Sequence, residues 1–346
     1  MLNVYTLDDR RKWDAIVRSI ANYDVYYTSG YVSAFQLIGD GDPCLIYYES
    51  ATLKGINVVM KRDIALSEPF KGKLTENTYY DLSTPYGYGG WILDGDMSAC
   101  ATLFAEYEQW CIRNNIISEF VRFHPVLENS RFSEGYYQVV LLGETVTLDL
   151  SDPDTIWDNF SSKNRNMIRK AEKSGVQIFN GRSPALFDEF MEIYNQTMER
   201  DAADDYYFFD RKFYESICFD LPEQAQLFYA VKDGRMIAAS IILAADGKLH
   251  YHLSGSLAEY RSYAPTNLLL YKAALWGCAN GCTSFHLGGG VGSREDNLFK
   301  FKKSFFRGDE LTRFAIGKKI FNQEEYDRLV SMREVGESGF FPKYRA

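Results

Sequence analysis

The order hairpin or meander, then helix, then strand occurs twice along these 346 residues, and a chain organised that way builds α/β sheets rather than a bundle or a sandwich. Cys44 to Ile64 reads as two apolar strands around a short turn. Ala99 to Asn114 follows as a helix with Leu103, Tyr107, Trp110 and Cys111 at helical spacing, leading into the apolar run Ile116 to Phe123. In the second half, Gln226 to Val231, Met236 to Ala244 and Lys248 to Ser254 form a meander whose turns are Asp233-Gly234 and Asp246-Gly247. Pro265 opens a helix that reaches about Ala279, Asn280-Gly281 ends it, and Thr283 to Leu287 is the next strand. Trp110 to His124 and Trp276 to Gly289 share a Trp near the helix end, an Asn stop and a strand bearing Phe-His, which internal duplication explains most economically. Chance recurrence of a common helix-strand unit is the competing explanation.

The length suggests two domains at roughly 150 residues each. Glu144 to Leu150 is an alternating strand, after which Asp152-Pro153 caps a helix from about Thr155 to Ser174, so the boundary falls between residues 148 and 149. Residues 1–148 form the first expected domain and 149–346 the second, which carries the main cleft. Residues 180–225 show one clear helix, Glu189 to Arg200, followed by an acidic aromatic loop, Asp201 to Asp210. Hydrophobic residues at 46% and charged residues at 25% match an ordered globular chain. No window reaches the roughly 20 apolar residues of a membrane span, and the first residues are charged, so the expected location is the cytoplasm, with peripheral membrane contact left open. Six dispersed cysteines read as core thiols, and no structural metal is expected. A net charge of -9 argues against duplex DNA as a partner.

Three stretches carry a resemblance to a known family. They are SSKNRNMIRKAEKSGVQI from Ser161 to Ile178, the run from Tyr251 to Gly290, and NLFKFKKSFF from Asn297 to Phe306; YYDLSTPYGYGGW from Tyr79 to Trp91 adds a fourth. Together they resemble the FemABX-like peptidoglycan aminoacyltransferases of the GNAT acyltransferase superfamily. The resemblance implies an α/β (α+β) fold of two tandem GNAT-like domains, each a mixed central sheet flanked by helices. The first is open to being a remnant without activity. It also implies transfer of an aminoacyl or acyl group to an amine of a cell-wall or nucleotide-linked precursor, with aminoacyl-tRNA or acyl-CoA as donor and no tightly bound cofactor. Phe301 and Lys302 align with an aromatic-Lys pair at the family's active site. Arg211 and Tyr214 fall near an Arg and a Tyr that bind substrate phosphate, one residue short of the family spacing. The loop that holds the CoA pyrophosphate in GNAT enzymes corresponds here to Arg261-Ser262-Tyr263-Ala264-Pro265-Thr266-Asn267, without its glycines.

Direct attack of a positioned amine on an activated ester needs orientation, a proton acceptor and oxyanion stabilisation, but no protein nucleophile. Lys302, within a basic run with Lys300, Lys303 and Arg307, is the first choice for the oxyanion. His250 and His252 alternate with Tyr251 on a strand, so both imidazoles face one side, where a His near neutral pKa takes the amine proton; Tyr251 binds substrate by analogy with the family. Lys163, Arg165, Arg169, Lys170 and Lys173 stand against the single carboxylate Glu172 and suit an anion, either a diphosphate-linked precursor or the acceptor stem of a charged tRNA. Arg261, Thr266 and Asn267 precede or open a helix that offers donors to the acyl donor. Gly288, Gly289 and Gly290 let backbone approach a ligand closely. Tyr206 and Tyr207 beside Asp204 and Asp205 suit a cationic amine or a sugar. An acyl-CoA-dependent N-acetyltransferase of an amino sugar is the runner-up, and a binding scaffold without catalysis is a third reading; oligomeric state stays open.

Overall fold

The computed structural model describes residues 1–308, 310–333 and 339–346. It divides into two units, Met1–Leu142 with Phe314–Ala346, and Gly143–Arg313. The second unit therefore closes at Arg313, whereas residues 149–346 were expected to form one domain. The reason lies in partners that the first unit supplies to the last segment: Tyr344 is buried with its hydroxyl 2.8 Å from that of Ser118, and Arg345 reaches the buried carboxylate of Asp81.

In the first unit, β1 (Leu2–Tyr5), β2 (Asp42–Glu49), β3 (Leu53–Asp63), β4 (Tyr80–Ser83) and β6 (Ile116–Arg122) lie side by side, with β5 (Ile92–Gly95) also on β3. All these pairs are antiparallel except β4 with β6. Among the described residues the helices α1 (Arg10–Arg18), α2 (Ser29–Leu37), α3 (Cys100–Arg113) and α10 (Gln323–Ser331) accompany them. The expected hairpin is present, with Cys44 opposite Val59 and Tyr48 opposite Gly55. Helix α3 buries Leu103, Tyr107 and Cys111 at helical spacing, as the pattern required.

The second unit takes the last half of β7 (Gln138–Asp149) and continues through α4 (Pro153–Asp158), α5 (Ser162–Lys173), β8 (Gln177–Gly181), α6 (Pro184–Arg200) and α7 (Arg211–Asp220). It then forms the meander β9 (Ala225–Lys232), β10 (Arg235–Ala245) and β11 (Lys248–Ser256), followed by α8 (Pro265–Ala279), β12 (Ser284–Gly288) and α9 (Asn297–Lys303); β13 (Thr312–Ile320) leads out to the first unit, where it pairs with β6. Its sheet runs β7-β12-β11-β10-β9-β8, mixed because β11 and β12 are parallel. Leu148, Phe228, Ile242 and Phe285 from the sheet share one core with Ile156 of α4, Ile168 of α5 and Leu269 of α8.

Two local expectations change. The single helix from Thr155 to Ser174 is two, because Ser161 leaves helical geometry and its hydroxyl accepts the Asn164 N–H at 3.1 Å, starting α5 afresh. Residues 180–225 hold α6 and α7, the latter started by Asp210, whose carboxylate accepts the Phe213 N–H. The turn signals hold: Asp233-Gly234 and Asp246-Gly247 all have positive φ, the geometry of tight two-residue hairpins.

The repeat survives in detail at the helix ends. Asn114 and Asn280 each return a side-chain N–H to the carbonyl of Trp110 or Trp276, at 2.8 and 2.7 Å, and the next residue, Asn115 or Gly281, is left-handed. The Phe-His likeness is not part of it. His286 lies ten residues beyond Trp276 and inside β12, while His124 lies fourteen beyond Trp110 and past the end of β6.

Candidate active site in the second unit

Parallel strands β11 and β12 pair only from Lys248 opposite Ser284 to His250 opposite His286. Beyond that point β11 runs on to Ser256, still held by β10, while β12 ends at Gly288, whose φ of 76° turns the chain away. The strands thus part at Tyr251. A side chain or ligand can enter there without breaking a ladder, because the pairing has already stopped.

The turn after β12 depends on its glycines. A Cβ on Gly289 would lie 2.7 Å from the Glu144 carbonyl oxygen, and one on Gly290 would lie 2.0 Å from the carbonyl oxygen of Arg294. The backbone folds so closely that any side chain is excluded. The chain then enters α9, which carries Lys302 back to this turn: its Nζ donates to the Gly289 carbonyl at 2.7 Å and stands 5.8 Å from the centre of the Tyr251 ring. Lys302 is 8% exposed. Burial lowers its pKa to about 8, with Asp296 acting in the opposite direction. At neutral pH it is a cation on the threshold of losing its proton. Burial pushes the neighbouring Tyr251 hydroxyl up to about 12, so it stays protonated and is a donor.

The histidines differ from expectation. Ile241 pairs with Leu253 and Ile242 with Tyr251, so His252 is the extra residue of a β-bulge and the simple alternation of the strand breaks there. Burial, reinforced by His250, holds His252 down to about 3, far from a near-neutral base. His250 is buried, its ring 6.1 Å from that of His286, whose Nδ1 is 2.9 Å from the Thr147 hydroxyl.

A second corner forms where α5, α8 and α9 begin or end. The Ser161 N–H donates to the Ser304 carbonyl at 2.9 Å and the Phe160 and Phe305 rings pack 5.1 Å apart, so the two basic runs, 163–173 and 300–307, share one corner. Asn164, buried on α5, accepts from the Asn267 side chain in the first turn of α8 at 2.8 Å. That first turn has Ala264 at the cap position, with no side-chain acceptor for its N–H groups. Lys163 and Arg169 are exposed, Arg169 lying 5.1 Å over the Trp157 ring, while the half-buried Arg165 is 4.0 Å from Asp158.

Residues 159–302 match the family model described as the acetyltransferase (GNAT) domain, a span that starts just ahead of α5 and closes on Lys302. The UDP-N-acetylmuramoylpentapeptide-lysine N(6)-alanyltransferase of Weissella viridescens is 28% identical to the chain over 193 residues. The crystal structure of FemX superposes with a TM-score of 0.72 at 16% identity, covering 95% of this chain and 99% of that one. The chain is thus similar to FemX-type proteins in fold, and its residues 159–302 to the GNAT acetyltransferase domain. Its alignment takes in 54% of its own residues and 55% of that alanyltransferase, so it spans about half the length of the curated relative. A protein of unknown function from Bacteroides thetaiotaomicron shares the fold, with a TM-score of 0.59 at 11% identity over 92% of this chain and 99% of that one. The α/β class with a mixed sheet and flanking helices in each unit stands as the sequence implied.

The remaining sequence candidates separate into two groups. Phe301 is half-buried on α9, its ring 5.4 Å from Phe305, and supports the helix that carries Lys302. Thr266 is half-buried on the first turn of α8 and Arg261 exposed just before it. Arg211, Tyr214, Tyr206 and Tyr207 take their partners elsewhere, on α6, α7 and the loop between them. Arg211 is exposed and paired with Asp188 and Glu215 on α6 and α7. Tyr214, near which the resemblance implied a substrate-phosphate contact, is buried among the rings of Phe190, Tyr194, Phe209 and Phe213 and serves the packing of α6 and α7. Tyr206 is exposed and Tyr207 half-buried in a tight turn capped by Asp204. Sequence reasoning missed Asn164 and Asp296. The signal for Asp296 was available, an Asp just ahead of an amphipathic basic run, which is the composition of a helix start.

Proposed function

We propose that the chain is an acyltransferase that moves an aminoacyl group onto the side-chain amine of a nucleotide-linked cell-wall peptide by direct attack. The observation that carries this reading is a buried ammonium, Lys302, standing where β11 and β12 part. The alanyltransferase named for a UDP-N-acetylmuramoylpentapeptide lysine supports the choice of acceptor. In the reaction the neutral amine forms the new N–C bond, the ester C–O bond breaks, and the proton shed by the amine goes to the departing oxygen. Tyr251 keeps its own proton and His252 is too weak a base to take another. Lys302 lowers the barrier by facing the oxyanion in a poorly solvated setting. The exposed cations at the corner of α5 and α9 suit an RNA-borne ester as donor.

The description of the matching domain as an acetyltransferase favours a second reading, with acyl-CoA as donor to an amino sugar or small amine. The uncapped first turn of α8 could serve its phosphates. Incubating the protein with UDP-N-acetylmuramoyl-pentapeptide and either alanyl-tRNA or acetyl-CoA, then reading product masses, decides between them. The expected result is product with alanyl-tRNA alone, lost in Lys302→Ala. Product with acetyl-CoA supports the second reading, and no product across donors and acceptors points to a binding scaffold.

A further inference from the structure

Asp296 touches both segments from which the Lys302 site is made. Its Oδ1 accepts the Phe299 N–H at 2.8 Å and caps α9, while its Oδ2 accepts the Val291 N–H at 3.1 Å in the turn after the glycines. The approach is so close that a Cβ on Gly290 would stand 2.5 Å from Oδ1. Burial raises the carboxyl's pKa, but the N–H donors of Phe299, Val291 and Leu298 and the charge of Lys302 outweigh it and keep the group below the usual range. Helix α9 has seven residues, too few to hold its own shape without such anchoring. Lys302, further along the same helix, returns to the turn through the Gly289 carbonyl, so carboxylate and ammonium grip the 289–291 turn from two points of one short element.

We propose that Asp296 is the positioning residue of this site: by tying the 289–291 turn to the start of α9, it decides where the Lys302 ammonium stands in the parting of β11 and β12. The carboxylate also favours the charged form of Lys302. The groups that bear on Lys302 are the Tyr251 ring from β11 and Asp296 from the start of its own helix, the 289–291 turn meeting it with backbone. The kinetic half of this inference rests on the acyl-transfer reading; the structural half does not.

Two variants test it. Asp296→Ser keeps a capping oxygen for α9 but loses the charge and the reach to Val291. Asp296→Asn keeps the size and the cap but sets an NH2 group against the Val291 N–H or gives up the cap instead. Titrating the ε-carbon signal of Lys302 in 13C-lysine protein, assigned by its loss in Lys302→Arg, reads its midpoint without any substrate. The expected midpoint is about 8 in the parent and lower in both variants, since the carboxylate that favours the charged form is gone. In the transfer assay kcat falls about tenfold or more with KM within about twofold, because the loss is of transition-state alignment. A midpoint that does not move in either variant overturns the inference, as does a moved midpoint with unchanged kcat in an active enzyme. A moved midpoint in a protein that transfers no acyl group leaves the positioning role standing and removes the proposed reaction.

Discussion

Lys302 is buried against a carbonyl and a ring, and its pKa near 8 fixes the sign of two effects. The unfolded chain holds this proton up to about pH 10.4, so between about 8 and 10.4 it binds more protons than the folded one, and stability rises with pH across that window. Below pH 8 the full cost of the buried charge is present. Lys302→Met is therefore expected to raise stability at pH 7 by about 1–2 kcal/mol, the desolvation relieved less the hydrogen bond lost. The gain should shrink as pH rises from about 8 and be largely gone by about 10, which thermal denaturation at pH 7 and pH 10 checks. Activity has the opposite sign. If the ammonium is the working form, transfer by the parent falls as pH rises through about 8, and a rate that instead climbs through that midpoint would assign Lys302 the part of a base.

Helix α6 does for β11 what β12 stops doing at Tyr251. The Thr197 hydroxyl accepts the Ser256 N–H at 3.0 Å and donates to the Ile193 carbonyl at 2.8 Å, so the outlying half of β11 is held from above. This packing needs Gly255, where a Cβ would meet the Cα and N of Tyr194 at 2.9 Å, both backbone atoms that cannot rotate aside. Gly255→Ala is expected to destabilise the second unit by about 2–3 kcal/mol, since overpacking against backbone forces a shift of the helix. A melting curve lowered by several degrees, with transfer reduced in parallel, is the expected outcome. An unchanged melting temperature would mean that α6 does not brace the free half of β11.

At the scale of the whole protein, the two units carry opposite pH dependences. In the first unit Glu119 is fully buried on β6, with the Tyr137 hydroxyl donating to it at 2.7 Å and the Asn57 amide at 3.1 Å. Burial raises its pKa to about 7 against these donors. The folded state then binds more protons than the unfolded one between about 4.3 and 7, so this group contributes stability below that window and loses it as pH rises through 7. Glu119→Gln should stabilise the protein at pH 8 by up to about 3 kcal/mol and change little at pH 4.5, checked by urea unfolding at both values. Equal effects at the two pH values would refute the buried, titrating carboxyl.

What the amino-acid order determined by itself was local. Asp-Gly pairs required left-handed turns, Asn280-Gly281 stopped a helix, apolar spacing marked α3, and the run Gly288 to Gly290 admitted a close approach, all because backbone sterics act between near neighbours. The Lys302 candidate was legible from its family-like context. Its lowered pKa was not, because desolvation depends on what α9 is packed against. Tyr214 and His252 show the same limit: one became core and the other a bulge residue with a depressed pKa, through partners on other elements. Tertiary structure alone decided that two basic runs meet at Ser161 and Ser304, and that the last residues return to Asp81 in the first unit. Such contacts join positions more than a hundred residues apart, and their free energy exists only once the intervening chain has folded.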